Sequence, residues 1–326
     1  MTKKTNKGLL SAYVLHGDGT GQEIDWQAVQ NKPTSDGFLW IHLDLTNTES
    51  QQWLREESDL DETIADALLA EETRPRTVVN TKGLLVILRG VNMNPGADPE
   101  DMVSIRLWIE QNRVISTRRR RLLSVDALKA DITNDQGPSS PGELLAMLAT
   151  HLVSRMTTVI SEIDEQVDNL ESEGLESSRS QIRNELSIIR REIIGLRRYL
   201  APQREAMNRL MHERSILLST HDREQLREST DQLIRYIEDL DAMRERASLI
   251  QEELVNRMAE HMNQRMYVLS LVAGIFLPLG FITGILGINV GGVPGTENIH
   301  AFDYVLVICV LFIALGYILF KRRKWL

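Results

Sequence analysis

Residues 266–296 form a run of 31 positions without Asp, Glu, Lys or Arg, and residues 304–320 form a second run of 17. As helices, residues 266–288 rise about 35 Å and residues 304–320 about 26 Å. A hydrocarbon core is about 30 Å thick, so the first segment spans with some tilt and the second sits at the short end of the permitted range. Two buried helices of a soluble protein would be the alternative. Against it stands the cluster Lys321, Arg322, Arg323 and Lys324, which follows the second run abruptly. Phe302, Tyr304, Tyr317 and Trp325 supply interfacial aromatics.

Basic residues set the expected orientation. Arg257, Arg265 and the 321–324 cluster lie outside the hairpin ends, whereas the connecting segment 289–303 has no Lys or Arg. The positive-inside rule then predicts a multi-pass membrane protein with both termini in the cytoplasm and the connecting loop facing the periplasm or exterior. The bulk composition, 42% hydrophobic and 25% charged, hides this division. Four of the 37 basic residues sit in the tail and two of the 46 acidic ones in or beside the loop, leaving 33 against 44 in residues 1–265. That net charge of -11 argues against nucleic acid as a partner, because phosphates demand a Lys/Arg surplus. A single cysteine, Cys309, excludes an internal disulfide and a CxxC zinc knuckle. No cleavable signal is expected at the N-terminus, where Ser11 and Tyr13 interrupt the apolar run.

The soluble part reads as an α/β domain over residues 1–130. Strands are expected at Leu9 to Leu15, Phe38 to Leu43, Val78 to Val91, Val103 to Glu110 and Arg113 to Arg118, with helices at Glu49 to Ser58 and Glu62 to Ala70. The stretch 132–143 is the clearest linker, with Ser140 and Pro141 opening a helix. A helical region, 131–221, holds segments Glu143 to Glu173 and Arg179 to Leu200, the latter closed by Pro202. From Asp222 no Gly or Pro intervenes until Gly274, so a stalk, 222–265, is expected to continue into the first membrane helix, 266–288, as one element of some 65 residues. The loop 289–303, the second membrane helix 304–320 and a basic tail 321–326 complete the chain. The run Arg118 to Arg121 is expected to be solvated or paired with acidic neighbours. No nucleotide-binding, nucleophile-elbow or zinc-protease pattern occurs, and no enzymatic activity is expected.

Two helices cannot enclose a water-filled path, so a shared face is needed if copies are to line one. Spacing of three and four from Asn263 selects Asn263, Met266, Ser270, Ala273, Leu277, Gly280, Gly284 and Gly287, six of them small or polar. Val268, Leu269, Ile275, Phe276, Leu279, Ile282 and Ile285 lie on other faces and suit lipid or the second helix. A small-residue stripe also suits a tight helix dimer, which Gly280 and Gly284 would satisfy. The stripe's length and the Asn at its end favour a pore.

Residues 276–289 read FLPLGFITGILGIN. This resembles the signature of CorA-type divalent cation transporters, whose first membrane helix closes with Gly-Met-Asn. Here the triplet is Gly287, Ile288 and Asn289, and the Ile together with the glycines that follow is most similar to the ZntB zinc-transport branch. The resemblance covers the whole chain in layout. It implies a funnel-shaped homo-oligomer, a pentamer, with the first membrane helix lining a central pore and Asn289 ringing its outer mouth. A ring of neutral amides suits a hydrated cation, since it can hold the water shell without gripping the ion.

The transported ion implied is Zn²⁺, and no cofactor is expected. The stripe contains none of the Cys, His or carboxylate groups that hold zinc tightly, so no tight metal site is identifiable and zinc rests on the resemblance. Candidate cation-capture groups are Glu297, His300 and Asp303 outside, and Glu252 and Glu245 inside, where the same spacing continues down the stalk. Because the membrane-depth residues include no Asp, Glu, His or Lys, any coupled proton would ride on these groups or on water. A Mg²⁺, Co²⁺ or Ni²⁺ channel of the same build, zinc efflux, and a membrane-tethered sensor or scaffold are the alternatives.

Overall fold

The computed structural model describes residues 8–31, 37–173, 179–212, 215–288, 295 and 297–322. It contains two compact units, Met1–Gln251 and Glu252–Leu326.

The first unit is built on a seven-stranded mixed sheet: β1 (Leu9–Leu15), β2 (Gly21–Glu23), β3 (Phe38–Asp44), β4 (Arg76–Val79), β5 (Leu84–Gly90), β6 (Val103–Ile109) and β7 (Arg113–Arg118). The spatial order is β2-β1-β3-β7-β6-β5-β4, with β3 parallel to β7 and the other neighbours antiparallel. The central strands are apolar on both faces because both faces are covered. On one face Leu39, Ile41, Leu43, Ile115, Trp108 and Leu85 pack with Trp26 and Val29 of α1 (Trp26–Gln30), Trp53 and Leu54 of α2 (Thr48–Glu56), and Ile64 and Leu68 of α3 (Glu62–Leu69). The edges are short, three residues in β2 and four in β4.

Four of the five expected strands are found within one residue of their bounds. Val78 to Val91 is corrected: it is not one strand but a hairpin, β4 and β5, closed at Asn80 and Gly83, where Asn80 N–H donates to Gly83 O at 2.9 Å. The Asn-Thr-Lys-Gly sequence there is a turn signal inside a run of β-branched residues. The expected linker also shrinks, because α4 (Leu123–Thr133) occupies its start. Ser140 does cap α5 (Pro141–Ser154), its hydroxyl accepting from Glu143 N–H at 3.1 Å, with Pro141 in the first turn. The helix expected through Glu173 breaks at Arg155 into α5 and α6 (Met156–Glu173).

Pro202 does not end its helix. It lies inside α7 (Arg179–His212), which continues past it to pack on the sheet edge. There the fully buried Gln203 accepts from Arg89 N–H through Oε1 at 2.7 Å, and Ala206 O accepts from the Thr77 hydroxyl at 2.9 Å. The packing on both sides of the proline outweighs the one lost helical bond.

The long helix expected from Asp222 is α8 (Thr220–Leu286), 67 residues. Its start is a reciprocal cap: Ser219 N–H donates to Asp222 Oδ2 at 2.8 Å and Asp222 N–H to Ser219 Oγ at 3.1 Å. In the first unit its buried stripe runs Leu226, Leu233, Ile237, Leu240, Met243, Ala247 and Ile250. At Gly142 of α5 a Cβ would lie 2.2 Å from Leu217 O and 2.5 Å from Asp222 Oδ2, so only glycine permits that approach. Arg246 then ties α8 to α6, with Nη1 donating to Asp164 at 3.0 Å, a bidentate pair to Glu171 and a contact to Asp168. These carboxylates hold the Arg246 guanidinium in its charged form, and Arg246 in turn holds the Glu171 carboxyl below its usual range.

Candidate functional site

The second unit comprises the end of α8 and α9 (Ala301–Arg322), a 22-residue helix longer at both ends than the apolar run alone. Three stretches among the described residues are long and apolar enough to cross a membrane, within 141–172, 220–286 and 301–322. The apolar window of the first is 56% buried inside the soluble unit, whereas those of α8 and α9 have no buried residue. The first is thus a core element, and the other two expose apolar faces that water would not tolerate.

Apart from Ala273, the half-buried residues of each helix fall on a single stripe. On α9 these are Val305, Cys309, Phe312, Gly316 and Phe320; on α8 they include Leu271, Ile275, Leu279 and Ile282. The stripes meet where Gly316 approaches Ile275. Ile275, Leu279 and Ile282 are expected to face lipid or the second helix; Ile275 meets α9 at Gly316, and Leu279 and Ile282 are half-buried on the same side. Val268, Leu269, Phe276 and Ile285 remain exposed. Pro278 lies inside α8 and removes the N–H that would bond Gly274 O. One turn on, the Thr283 hydroxyl donates to Leu279 O at 2.9 Å, a local bond that keeps its polar group satisfied at membrane depth.

The predicted pore face is on the far side. Asn263, Met266, Ser270, Leu277, Gly280 and Gly284 are all exposed in the single chain, and Ala273 is half-buried. A Cβ on Gly280 or Gly284 would meet nothing within 4 Å. Gly287 closes the helix, its N–H donating to Thr283 O at 2.9 Å, and Ile288 follows it, 52% exposed. Asn289 lies outside the described residues, as do 290–294 and 296.

Of the expected outer capture groups, His300 and Asp303 are brought together, Nδ1 to Oδ2 at 3.5 Å, by their spacing of three at the start of α9. Glu297 is exposed. Inside, Glu245 and Glu252 are exposed on α8, on the side away from Met243, Ala247 and Ile250. Among the described residues no three His, Cys, Asp or Glu side chains converge as a metal site. Three of the Arg118 to Arg121 run are paired as expected, Arg119 with Glu71 at 2.8 Å, Arg120 with Asp101 at 3.1 Å and Arg121 with Asp126 at 2.8 Å, whereas Arg118 has a buried Nη1 with no partner among the described residues.

Comparison with known proteins places this geometry. A family model described as CorA-like Mg²⁺ transporter protein matches residues 35–322. The divalent cation transporter CmaX of Pseudomonas aeruginosa is 39% identical over 323 residues, 98% of this chain and 97% of that one. The zinc transport protein ZntB of Pectobacterium carotovorum is 36% identical over 322 residues, again 98% and 97% of the two chains. A solved structure of full-length CmaX superimposes with a TM-score of 0.85 at 38% identity, covering 99% of this chain and all of that one.

Proposed function

The chain belongs to the CorA-like Mg²⁺ transporter family, and we propose that it carries divalent cations, Zn²⁺ in particular, across the bacterial inner membrane through a central pore. Identical copies, five in our reading, stand around one axis with the α8 face from Asn263 to Gly287 toward it and the lipid bilayer outside. The observation that carries this is the division of α8 into two sides: α9 packs at Ile275, while Gly280 and Gly284 stay open on the other. A hairpin serving only as an anchor has no use for that open face.

Asn289, just past the helix end, is placed at the outer mouth with Gly287 and Ile288, and Glu297, His300 and Asp303 enrich cations near it. Glu252 and Glu245 do the same on the cytoplasmic side. An ion such as Mg²⁺ gives up water reluctantly, and a ring of amides passes it hydrated. Inward flow needs no other energy source, since a divalent ion crossing 100 mV gains about 4.6 kcal/mol. Zinc is favoured over magnesium by the Ile288 position and the similarity to ZntB.

The test is uptake of Zn²⁺, Co²⁺, Ni²⁺ and Mg²⁺ into liposomes carrying the full chain. We expect Zn²⁺ uptake that Asn289→Ala lowers by about tenfold, or ~1.4 kcal/mol of barrier. Magnesium outcompeting zinc would reassign the ion, and no uptake of any of the four would overturn transport. In the same liposomes, a pH dependence that survives replacing Glu297 and His300 with Gln would exclude them as proton carriers.

A further inference from the structure

The soluble unit holds a cavity of about 640 Å³ between the end of α3, the β5–β6 face and Tyr199 of α7. Of its fourteen lining residues six are arginines and three carboxylates, a surplus of three positive charges. Strand geometry creates the core of it. Arg89 on β5 pairs opposite Ser104 on β6, and Arg106 lies two residues further along β6, so both guanidinium groups rise from the same face of the sheet.

Arg106 is 1% exposed. Its Nη2 donates to Ala70 O at 2.7 Å and Glu71 O at 3.3 Å, the carbonyls that end α3. Its Nε and Nη1 are buried with no partner among the described residues. Arg89 is satisfied differently: all of its donors that form bonds go to the backbone carbonyls of Thr73 and Met102, and its plane stacks 3.9 Å from the Tyr199 ring centre. Among the described residues neither the buried Arg106 nor the half-buried Arg89 forms an ion pair with a carboxylate, although Asp101 and Glu72 lie near enough to favour the Arg89 charge. Burial, with the nearby charges of Arg119 and Arg89, pushes the Arg106 guanidinium down to about 10. Of the three carboxylates, Glu71, Glu72 and Asp101, the first and last pair with Arg119 and Arg120 at the exposed rim.

We propose that this cavity binds a phosphoryl oxyanion, with Arg106 at its floor and Arg119 and Arg120 at its rim. A buried guanidinium with unmet donors is costly unless an acceptor arrives. The surplus of three charges decides the class: a phosphate carries about -1.5 to -2 at neutral pH, whereas chloride or a single carboxylate leaves most of the excess in place. The volume fits a phosphorylated small molecule. Every residue lining the site belongs to the first unit, and the proposal does not depend on which ion is carried.

The experiment is a thermal-shift and calorimetric titration of the full-length protein in detergent, free of divalent metal. The probes are inorganic phosphate, pyrophosphate and ATP, with sodium chloride at matched ionic strength. We expect all three phosphates to raise Tm in the millimolar range or below and chloride not to. ATP tighter than pyrophosphate assigns a nucleotide as the source, and equality assigns the bare phosphate chain. Arg106→Met should abolish the response. Should that variant not fold, the rim variant Arg119→Gln/Arg120→Gln decides: it should keep the ligand-free Tm and weaken phosphate binding about tenfold. A wild type that ignores phosphate, as when a carboxylate from a neighbouring copy already fills the site, overturns the proposal. So does an equal response to chloride, or a rim variant that binds as the wild type does.

Discussion

Gly316 of α9 faces Ile275 of α8 so closely that a Cβ on the glycine would lie 3.9 Å from Ile275 Cγ1. At about 100° per residue, Ile275 is roughly 160° around the helix from both Ala273 and Leu277. The second helix thus occupies the side of α8 turned away from the small-residue stripe. Among the described residues nothing lies within 4 Å of a Cβ on Gly280 or Gly284 of that stripe, which leaves other copies or lipid to cover it there.

Gly284→Leu tests which of those two covers it. The single chain has room for the side chain, and leucine favours a helix over glycine by about 1 kcal/mol, so the hairpin itself should not suffer. If copies bring this face to a common axis, the added side chains obstruct it. Zn²⁺ uptake should then fall by at least about tenfold, ~1.4 kcal/mol, with the oligomer unchanged by size-exclusion chromatography. Undiminished uptake would place the glycine against lipid.

Gly142→Ala should destabilise the soluble unit by about 1–3 kcal/mol, because the new methyl group meets the Leu217 carbonyl and the Asp222 carboxylate that caps α8. The check is the unfolding midpoint of the full-length protein. Moving Asp222 also weakens the cap, so Asp222→Ala combined with Gly142→Ala should cost less than the sum of the two.

His42 predicts a pH dependence. It is fully buried on β3, with Nδ1 2.8 Å from Ser116 Oγ, which also accepts from Trp40 Nε1 at 2.8 Å; Nε2 has no partner among the described residues. Burial first, then the charges of Arg118 and Lys129, hold its imidazole well below the ordinary value. The unfolded chain therefore takes up the proton first as pH falls. Stability contributed by the neutral form is fully present above about 6.5 and is lost below it, at up to ~1.4 kcal/mol per pH unit. Midpoints measured from pH 7.5 to 5 should show this slope, and His42→Phe should flatten it.

The legible parts of the sequence were those whose signal is local. The absence of Gly and Pro from Asp222 to Gly274 fixes a helix whatever surrounds it, and α8 runs as read. Helical period separates Ile275, Leu279 and Ile282 from the small-residue stripe, but not from Val268, Leu269, Phe276 and Ile285, because which apolar residues meet the second helix depends on where α9 packs. Pro202 was misleading because its consequence depends on Gln203 and Ala206 reaching the sheet edge, a contact more than a hundred residues away in sequence. Arg106 gave no signal at all. Alternation along β6 assigns a charged residue to a solvated face, and only the sheet's covering on both faces, with α3 ending above it, puts that guanidinium inside.

The three- and four-residue margins of the sheet have a bearing on life in a crowded bilayer. A cell that displays many copies of this chain holds identical β-structures side by side at high local concentration, the condition under which open strands recruit one another into aggregates. Margins this brief, one of them flanked by α7, offer little backbone for such recruitment. Runaway strand pairing between neighbours is thereby disfavoured at both margins of the sheet.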